Sequence, residues 1–294
     1  MARGRAGWLW VVPVCLVVLI LVITMGYWRR GKPAYRDSEI FQGIRFQRKL
    51  ATSPRAVTLN ILYIDLTRPG ISFEFTKGYE GRFAFKAQKT STFLKRTSCQ
   101  VAINASYFWP FWSRHPLDFY PHHGDRVTVV GSYVSAGHEF GKVSPRYPSL
   151  YFDDAGKPTF RVLKHPTADI SGKLMVLQNG KIPEDSQLEK GQPDCQPRTS
   201  VGLSKDEKQM IILVADGRQP GRNEGLSLAE LGQVMKSLGA EDALSLNGEG
   251  SETMVSQGAN GQTTFLNEPV DLYIPGRERV VATHLGIHAR PLNP

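Results

Sequence analysis

Downstream of residue 42 the chain is cut into short runs of β-branched and aromatic residues, each closed by Gly, Pro or Asp. That punctuation favours strands joined by turns over long helices. The runs Val57 to Leu66, Val101 to Asn104, Val127 to Val134 and Thr159 to Leu163 read as strands. Met210 to Ala215, apolar throughout, and Ala243 to Leu246, apolar but for Ser245, suggest buried strands, and they flank the one clear helix. Ser227 and Glu230 form its capping box, and Leu226 and Leu231 are spaced as a hydrophobic staple. Leu228, Leu231, Met235 and Leu238 make one apolar stripe, and Gly239 ends the helix. A shorter helix is predicted over Thr92 to Arg96. No solenoid or propeller period is present.

A second feature stands apart. From Trp8 to Trp28 the chain carries no charge and has aromatic residues at both ends, a length and pattern that predict a transmembrane anchor in a lipid bilayer. Residues 1–7 are then a short tail, and the polar stretch 29–42 a juxtamembrane linker. Residues 43–294 form one domain, roughly 250 residues and long enough for a sizeable core. The expected fold class is α+β: a single β-rich, mixed-sheet domain with a few packed helices, preceded by one transmembrane helix. The formal charge of +9 favours anionic partners, although several of the arginines flank the apolar segment.

Cys99 and Cys195 are the only cysteines outside that segment, and they read equally as one disulfide or as two thiols. The polar, proline-containing stretch Ile182 to Arg198 is a loop, either a lid or a simple excursion. No histidine spacing suits a metal, so no metal and no cofactor is expected. Neither a serine-hydrolase elbow nor a phosphate-loop lysine motif occurs, and no nucleic-acid-binding pattern is present.

Chemistry-bearing residues gather in four places. Asn247-Gly248-Glu249-Gly250-Ser251-Glu252-Thr253 follows a predicted strand, and its glycines allow backbone N–H groups to approach an anion; it reads equally as a tight turn. Asp216-Gly217-Arg218 follows the most apolar run, so both side chains emerge at a strand end, where sites collect, unless they form only an Asp-Gly turn. Arg198, Thr199 and Ser200 open another strand. Asn104 leads into a segment dense in aromatic residues, including Phe108, Trp109, Phe111 and Trp112, suited to a sugar ring or to a core.

Taken in order, Asn104 to Phe108, Asp169 to Gly172, Pro197 to Gly202, Val214 to Arg218, Gly225 to Leu231 and Asn247 to Val255 resemble the phosphodiester glycosidase family. The resemblance runs from about Val57 to His288 and rests on order and spacing. It implies a hydrolase that cleaves the glycosidic bond of a sugar-1-phosphodiester in a glycan or exopolysaccharide. Asp216 and Glu249 would be its catalytic carboxylates. Asn104, Arg198, Ser200, Arg218, Asn247, Gly248, Gly250, Ser251 and Thr253 would bind substrate. Such a function implies an extracytoplasmic domain, on the periplasmic side of a bacterial inner membrane.

The chain departs from the family pattern in two places. Asp-Gly-Gly-Gly-Ser is here Asn247-Gly248-Glu249-Gly250-Ser251, and Asn-Gly-Gly-Phe-Phe is Asn104-Ala105-Ser106-Tyr107-Phe108. One carboxylate is lost and another appears two positions on. Either the site is retuned for another substrate, or the domain binds glycan without turnover.

Overall fold

In the computed structural model, which describes residues 12–18, 31, 33–115, 118–142, 144, 146–184, 194–258 and 260–292, the most apolar run of the chain forms the middle strand of a seven-stranded sheet. The strand order is Arg36–Phe41, Ile44–Ala51, Val57–Asp65, Gln209–Ala215, Arg198–Leu203, Asp242–Ser245 and Leu174–Leu177. Along Gln209–Ala215 the side chains alternate between two cores, which is why the run shows no polar alternation. Met210, Ile212 and Val214 join one core, and Ile211, Leu213 and Ala215 the other.

The Leu228–Ser237 helix covers the second of these faces through Leu228, Leu231 and Met235. Its start is the expected reciprocal cap: the Glu230 N–H donates to Ser227 Oγ at 3.1 Å, and the Ser227 N–H donates to Glu230 Oε2 at 2.9 Å. The first face shares its core with a five-stranded sheet ordered Thr263–Phe265, Met254–Gln257, Val101–Asn104, His284–His288 and Ser72–Phe75. The outer side of this second sheet carries the Thr90–Thr97 helix, whose Phe93 and Leu94 pack on Ala102 and Val255. A further five-stranded sheet, ordered His138–Gly141, Ser132–Ser135, Ala168–Ser171, Ser149–Phe152 and Pro158–Thr159, adds Tyr133, Leu150 and Ile170 to the same core.

Four expectations are corrected by this structure. The chain is mostly β: among the described residues of 35–292, twenty-four strands accompany two short helices. The sheets are not mixed, because the ladders between strands are antiparallel, the one parallel pairing being the isolated bridge of Val270 to Arg277. The strand–helix–strand unit does make Gln209–Ala215 and Asp242–Ser245 parallel to each other. Arg198–Leu203, however, lies between them and pairs antiparallel with both.

The transmembrane helix is the second correction. Of that stretch the structure describes residues 12–18, which are helical. Among the described residues no helix is long and apolar enough to cross a membrane. The rest of the expected span, 8–11 and 19–28, lies outside the described residues.

Third, the stretch expected as linker contains a strand. The chain divides into the units Met1–Ala34 and Tyr35–Pro294, and Arg36–Phe41 pairs with Ile44–Ala51 across a turn at Gly43, whose φ is +77°. This is an edge strand, and its polar sequence suits an exposed edge; Asp37 accepts from Arg45 Nε at 2.6 Å. Fourth, Val127 to Val134 is two strands, broken at Gly131 with φ +91°, and only Pro158–Thr159 of the run beginning at Thr159 is extended and paired. No disulfide joins Cys99 to Cys195. In the loop expected over Ile182 to Arg198, residues 185–193 lie outside the described residues, and Arg198 itself opens a strand.

Candidate active site

Three strand ends meet at one edge of the two core-forming sheets: the end of Val101–Asn104, the start of Arg198–Leu203, and the loop leaving Asp242–Ser245. Asn104 ties them together. Its Nδ2 donates to the Asn247 carbonyl, while its Oδ1 accepts from Thr199 Oγ1 and from the Thr253 N–H, each at 3.1 Å. Every polar atom of this buried amide is thereby spent on the scaffold. Asn104 holds the 247–253 loop in place and does not face a ligand.

The loop borders an open cleft of about 360 Å³, whose walls include Tyr107, Phe111, Arg218, Glu249, Ser251 and Arg279. Asn247 and Gly248 also line it. Gly248 approaches strand Arg198–Leu203 so closely that a Cβ there would meet the Pro197 carbonyl at 2.5 Å. Gly250, with φ +105°, lies under two guanidinium groups: a Cβ at this position would sit 2.5 Å from Arg279 Nη2 and 2.6 Å from Arg218 Nη1. The glycines thus let the guanidinium groups and the neighbouring strand close up on the loop. The N–H groups that the sequence offers to an anion are instead donated within the protein, those of Asn247, Glu249 and Ser251 to the Ala105, Pro197 and Gly248 carbonyls and that of Gly250 to Glu252.

Each arginine is aimed by a specific partner. Arg218 adopts a left-handed backbone (φ +58°), donates from Nε to Gln196 Oε1 at 3.0 Å, and lies over the Tyr273 ring. Arg279 donates from Nε to Asp271 Oδ1 at 2.7 Å and from Nη1 to Ser251 Oγ at 3.3 Å, and it packs over Phe111. Arg198 is only 2% exposed. Its Nε donates to the Leu226 carbonyl at 3.0 Å and its Nη2 to the Asp194 carbonyl at 2.6 Å, which leaves Nη1 without a hydrogen-bond partner among the described residues. That nitrogen points towards Glu249 Oε1 at 3.6 Å.

Glu249 is itself held in a left-handed conformation (φ +59°), with Lys173 Nζ 3.8 Å from the same oxygen. Non-glycine residues adopt that geometry at a cost, and such strain is concentrated at functional sites. Three such residues, Arg218, Glu249 and Leu272, line one cleft.

Not all candidates from the sequence are part of that wall. Asp216 is buried behind it, where Oδ1 accepts from Asn60 Nδ2 and from the Glu268 N–H, each at 3.2 Å. Burial pushes its carboxyl up to about 8, so it is protonated at neutral pH. Ser200 lies inside the seven-stranded sheet and donates to the Leu244 carbonyl at 2.8 Å. Thr253 is buried beside Asn104.

Sequence reasoning missed Glu252, Arg279 and Tyr107. Glu252 is fully buried beneath the loop, accepting from the Gly250 N–H at 2.6 Å and the Val270 N–H at 3.3 Å, and burial pushes it up to about 7. The Tyr107 hydroxyl is buried without a hydrogen-bond partner among the described residues, and burial, with Glu249 nearby, pushes its ionisation up. Glu252 lies inside the motif the sequence singles out and was legible there. Arg279 comes from a segment with no motif and became visible only through its place over Gly250.

The family description "phosphodiester glycosidase" matches residues 97–288, a span that contains the clamp at Asn104, the arginines and the 247–253 loop. The chain belongs to the phosphodiester glycosidase family. Its fold resembles the catalytic domain of zebrafish N-acetylglucosamine-1-phosphodiester alpha-N-acetylglucosaminidase, described as auto-inhibited by its pro-peptide. The two share 21% identity over 89% of this chain and 86% of that one, with a TM-score of 0.59. A hypothetical protein from Synechocystis shares the fold at 14% identity and a TM-score of 0.54, over 88% of this chain; the alignment spans 64% of the Synechocystis chain. A Burkholderia pseudomallei protein does so at 16% identity and a TM-score of 0.56, over 81% of this chain and 75% of that one. No curated protein matches the sequence. In this member of the family the loop carboxylate that lines the cleft is Glu249, with Arg198 and Lys173 beside it.

Proposed function

We propose that the chain hydrolyses the glycosidic bond of a sugar-1-phosphodiester, with the cleft around the 247–253 loop as its active site. The observation that carries this reading is the convergence of Arg218 and Arg279 over Gly250, with Arg198 behind Glu249. Breaking the sugar C1–O bond expels a phosphate monoester, whose second pKa lies near 6. Such a leaving group needs charge neutralisation more than a proton, and guanidinium groups match phosphate oxygens in geometry.

In this reading Arg218 and Arg279 hold the phosphate, while the N–H groups of Asn247, Glu249, Gly250 and Ser251, donated to the Ala105, Pro197 and Gly248 carbonyls and to the Glu252 carboxylate, fix the shape of the loop beneath them. The Glu249 carboxylate stands on the same wall. It either takes a proton from the attacking water or stabilises the oxocarbenium-like centre, the two tasks carboxylates perform in glycosidases. Water supplies hydroxide to C1, the C1–O electron pair leaves with the phosphate, and the proton passes to solvent. Asp216 and Glu252 stand behind the wall as protonatable supports and not as groups in contact with substrate. The Phe111 and Tyr107 rings provide apolar faces for the sugar. A polymeric, surface-exposed glycan as substrate places this reaction outside the cytoplasm.

Incubating the purified full chain with sugar-1-phosphodiesters and measuring free sugar tests the proposal. Turnover that falls sharply in Glu249→Gln and Arg218→Ala is the expected result. A second reading, glycan binding without turnover, draws on the two cations already facing Glu249. Calorimetric binding of the phosphodiester by a wild-type protein that releases no sugar would favour it and overturn the hydrolase.

A further inference from the structure

The third sheet carries a polar face that the cleft does not use. Register places Asp169 opposite Val134 on one neighbouring strand and Tyr151 on the other, with Ser149 opposite Ser171. These residues share the side of the sheet away from Tyr133, Leu150 and Ile170, which fill the core. Ser132, Ser149 and Tyr151 from this face, together with Tyr147 and Phe160, line a cavity of about 790 Å³ closed on its far side by the end of the seven-stranded sheet. The size is within the about 300–1,000 Å³ common for small-molecule sites.

Asp169 is the unusual member. It is 1% exposed and lies behind the cavity wall, where its carboxylate takes hydrogen bonds from the Ser132 and Ser149 hydroxyls and the Val134 backbone, while its Oδ1 atom has no close partner among the described residues. A buried carboxylate oxygen without a donor is costly to leave unmet, unless a ligand or water satisfies it. Neither the hydrolytic step nor the core packing gives this group a role.

We infer that this cavity is a second carbohydrate-binding site, taking neutral sugar units of a glycan through Tyr147, Tyr151 and Phe160, with the Ser132 and Ser149 hydroxyls exchanging hydrogen bonds with ring hydroxyls and Asp169 behind them as a positioning residue. Aromatic rings supply apolar faces for the C–H side of a sugar, and hydroxyls backed by a carboxylate are oriented for sugar O–H groups. Charge argues against a phosphate ligand here. The lining acids Glu207, Glu241 and Asp242 outnumber the lining bases Arg161 and Lys205, and Arg161 is 3.5 Å from Glu207. The cleft has the opposite balance.

The two sites are linked by shared strands. Arg198–Leu203 starts at the cleft with Arg198 and ends at the cavity with Leu203, while Asp242–Ser245 starts at the cavity and feeds the 247–253 loop. A six-residue strand spans roughly 17 Å, farther than one sugar ring reaches. The choice of a glycan as ligand rests on the hydrolase reading, but the binding test below needs no turnover.

The full chain is titrated with maltotetraose, cellotetraose, chitotetraose and mannotetraose, with inorganic phosphate as the contrasting probe, by saturation-transfer NMR and calorimetry. At least one tetrasaccharide is expected to bind, about five- to tenfold more weakly in Tyr151→Ala and in Phe160→Ala, the loss of one stacking contact. Binding should persist in Arg218→Ala, and phosphate should not compete. Asp169→Asn is expected to weaken it as well; the two aromatic variants keep the test valid if that buried change prevents folding. No binding by any of the four, binding unaffected by both aromatic variants, or competition by phosphate would overturn the second site. Failure of the hydrolase reading alone would show as intact tetrasaccharide binding without sugar release from phosphodiesters.

Discussion

Arg198 Nη1 lies 3.6 Å from Glu249 Oε1, although the arginine is 2% exposed and the glutamate stands on the wall of an open cleft. A buried cation therefore faces the one carboxylate of the glycine loop that substrate can reach. Truncating Arg198 to Met removes this pairing and the bonds to the Leu226 and Asp194 carbonyls. The expected loss of stability is about 3 kcal/mol, because acceptors that were satisfied in the interior lose a charged donor. Urea denaturation of both proteins measures it.

Glu249→Gln keeps the shape of the loop and removes the charge. If the carboxylate activates water or stabilises the developing cation, kcat should fall by about 10²- to 10⁴-fold, with KM changed little. Steady-state kinetics on a sugar-1-phosphodiester separates the two constants. A fall in affinity alone would instead make Glu249 a binding residue.

Arg218→Ala and Arg279→Ala should each lower kcat/KM by about 10- to 150-fold, corresponding to one charge-assisted contact of about 1.5–3 kcal/mol. The loss should shrink on a substrate without a phosphate, such as a nitrophenyl glycoside. Comparing the two substrates in each variant checks that the arginines act on the phosphate and not on the sugar.

Stability should depend on pH through the buried acids behind the cleft. Burial raises Asp216 to about 8 and Glu252 to about 7, whereas an unfolded carboxyl titrates at roughly 4. Between those values the native protein holds protons that the unfolded chain has lost. Their contribution is therefore fully present below about pH 4 and is lost as pH rises towards 8. Asp216→Asn, which cannot ionise, should flatten the fall in Tm between pH 5 and pH 8. Calorimetry at the two pH values reads the difference.

Asn104→Ala should cost about 2–4 kcal/mol, since the Asn247 carbonyl, the Thr199 hydroxyl and the Thr253 N–H lose one shared partner in the interior. Activity should fall with it, because the loop that Asn104 pins carries Glu249. A thermal melt and an activity assay on the same preparation test both effects together.

How far the sequence reaches can be judged from particular residues. The Ser227–Glu230 cap and the stripe of Leu228, Leu231 and Met235 were legible because they are local, written within a few turns of one helix. The antiparallel order of the large sheet was not, since it depends on Arg198–Leu203 inserting between strands that the sequence shows as consecutive. Charge and polarity also misled: Arg36–Phe41 reads as linker because an edge strand needs few apolar residues. Trp8 to Trp28 has the composition of a span, yet among the described residues no helix is long and apolar enough to cross a membrane. At the site, the glycine loop and Arg218 announced themselves by their spacing. Asp216 and Ser200 stand in the same motifs yet face the interior: Asp216 follows the end of its strand before the left-handed backbone of Arg218 turns the chain, and Ser200 lies two residues inside its strand.

Gly250 allows the sharpest separation of geometry from stability. Its φ of +105° strains any other residue, and a methyl group there would stand 2.5 Å from Arg279 Nη2 and 2.6 Å from Arg218 Nη1. Gly250→Ala should cost about 1–2 kcal/mol from the backbone conformation alone. The larger effect should be on catalysis, since both guanidinium groups must swing away to make room. A misplacement near 1 Å in a charge-stabilising group can lower the rate by about 100-fold. A variant that melts within a few degrees of the parent but loses most of its kcat/KM is the expected outcome. If kcat/KM followed the change in Tm with no additional loss, the arginines would not be converging on the substrate phosphate at this point of the loop.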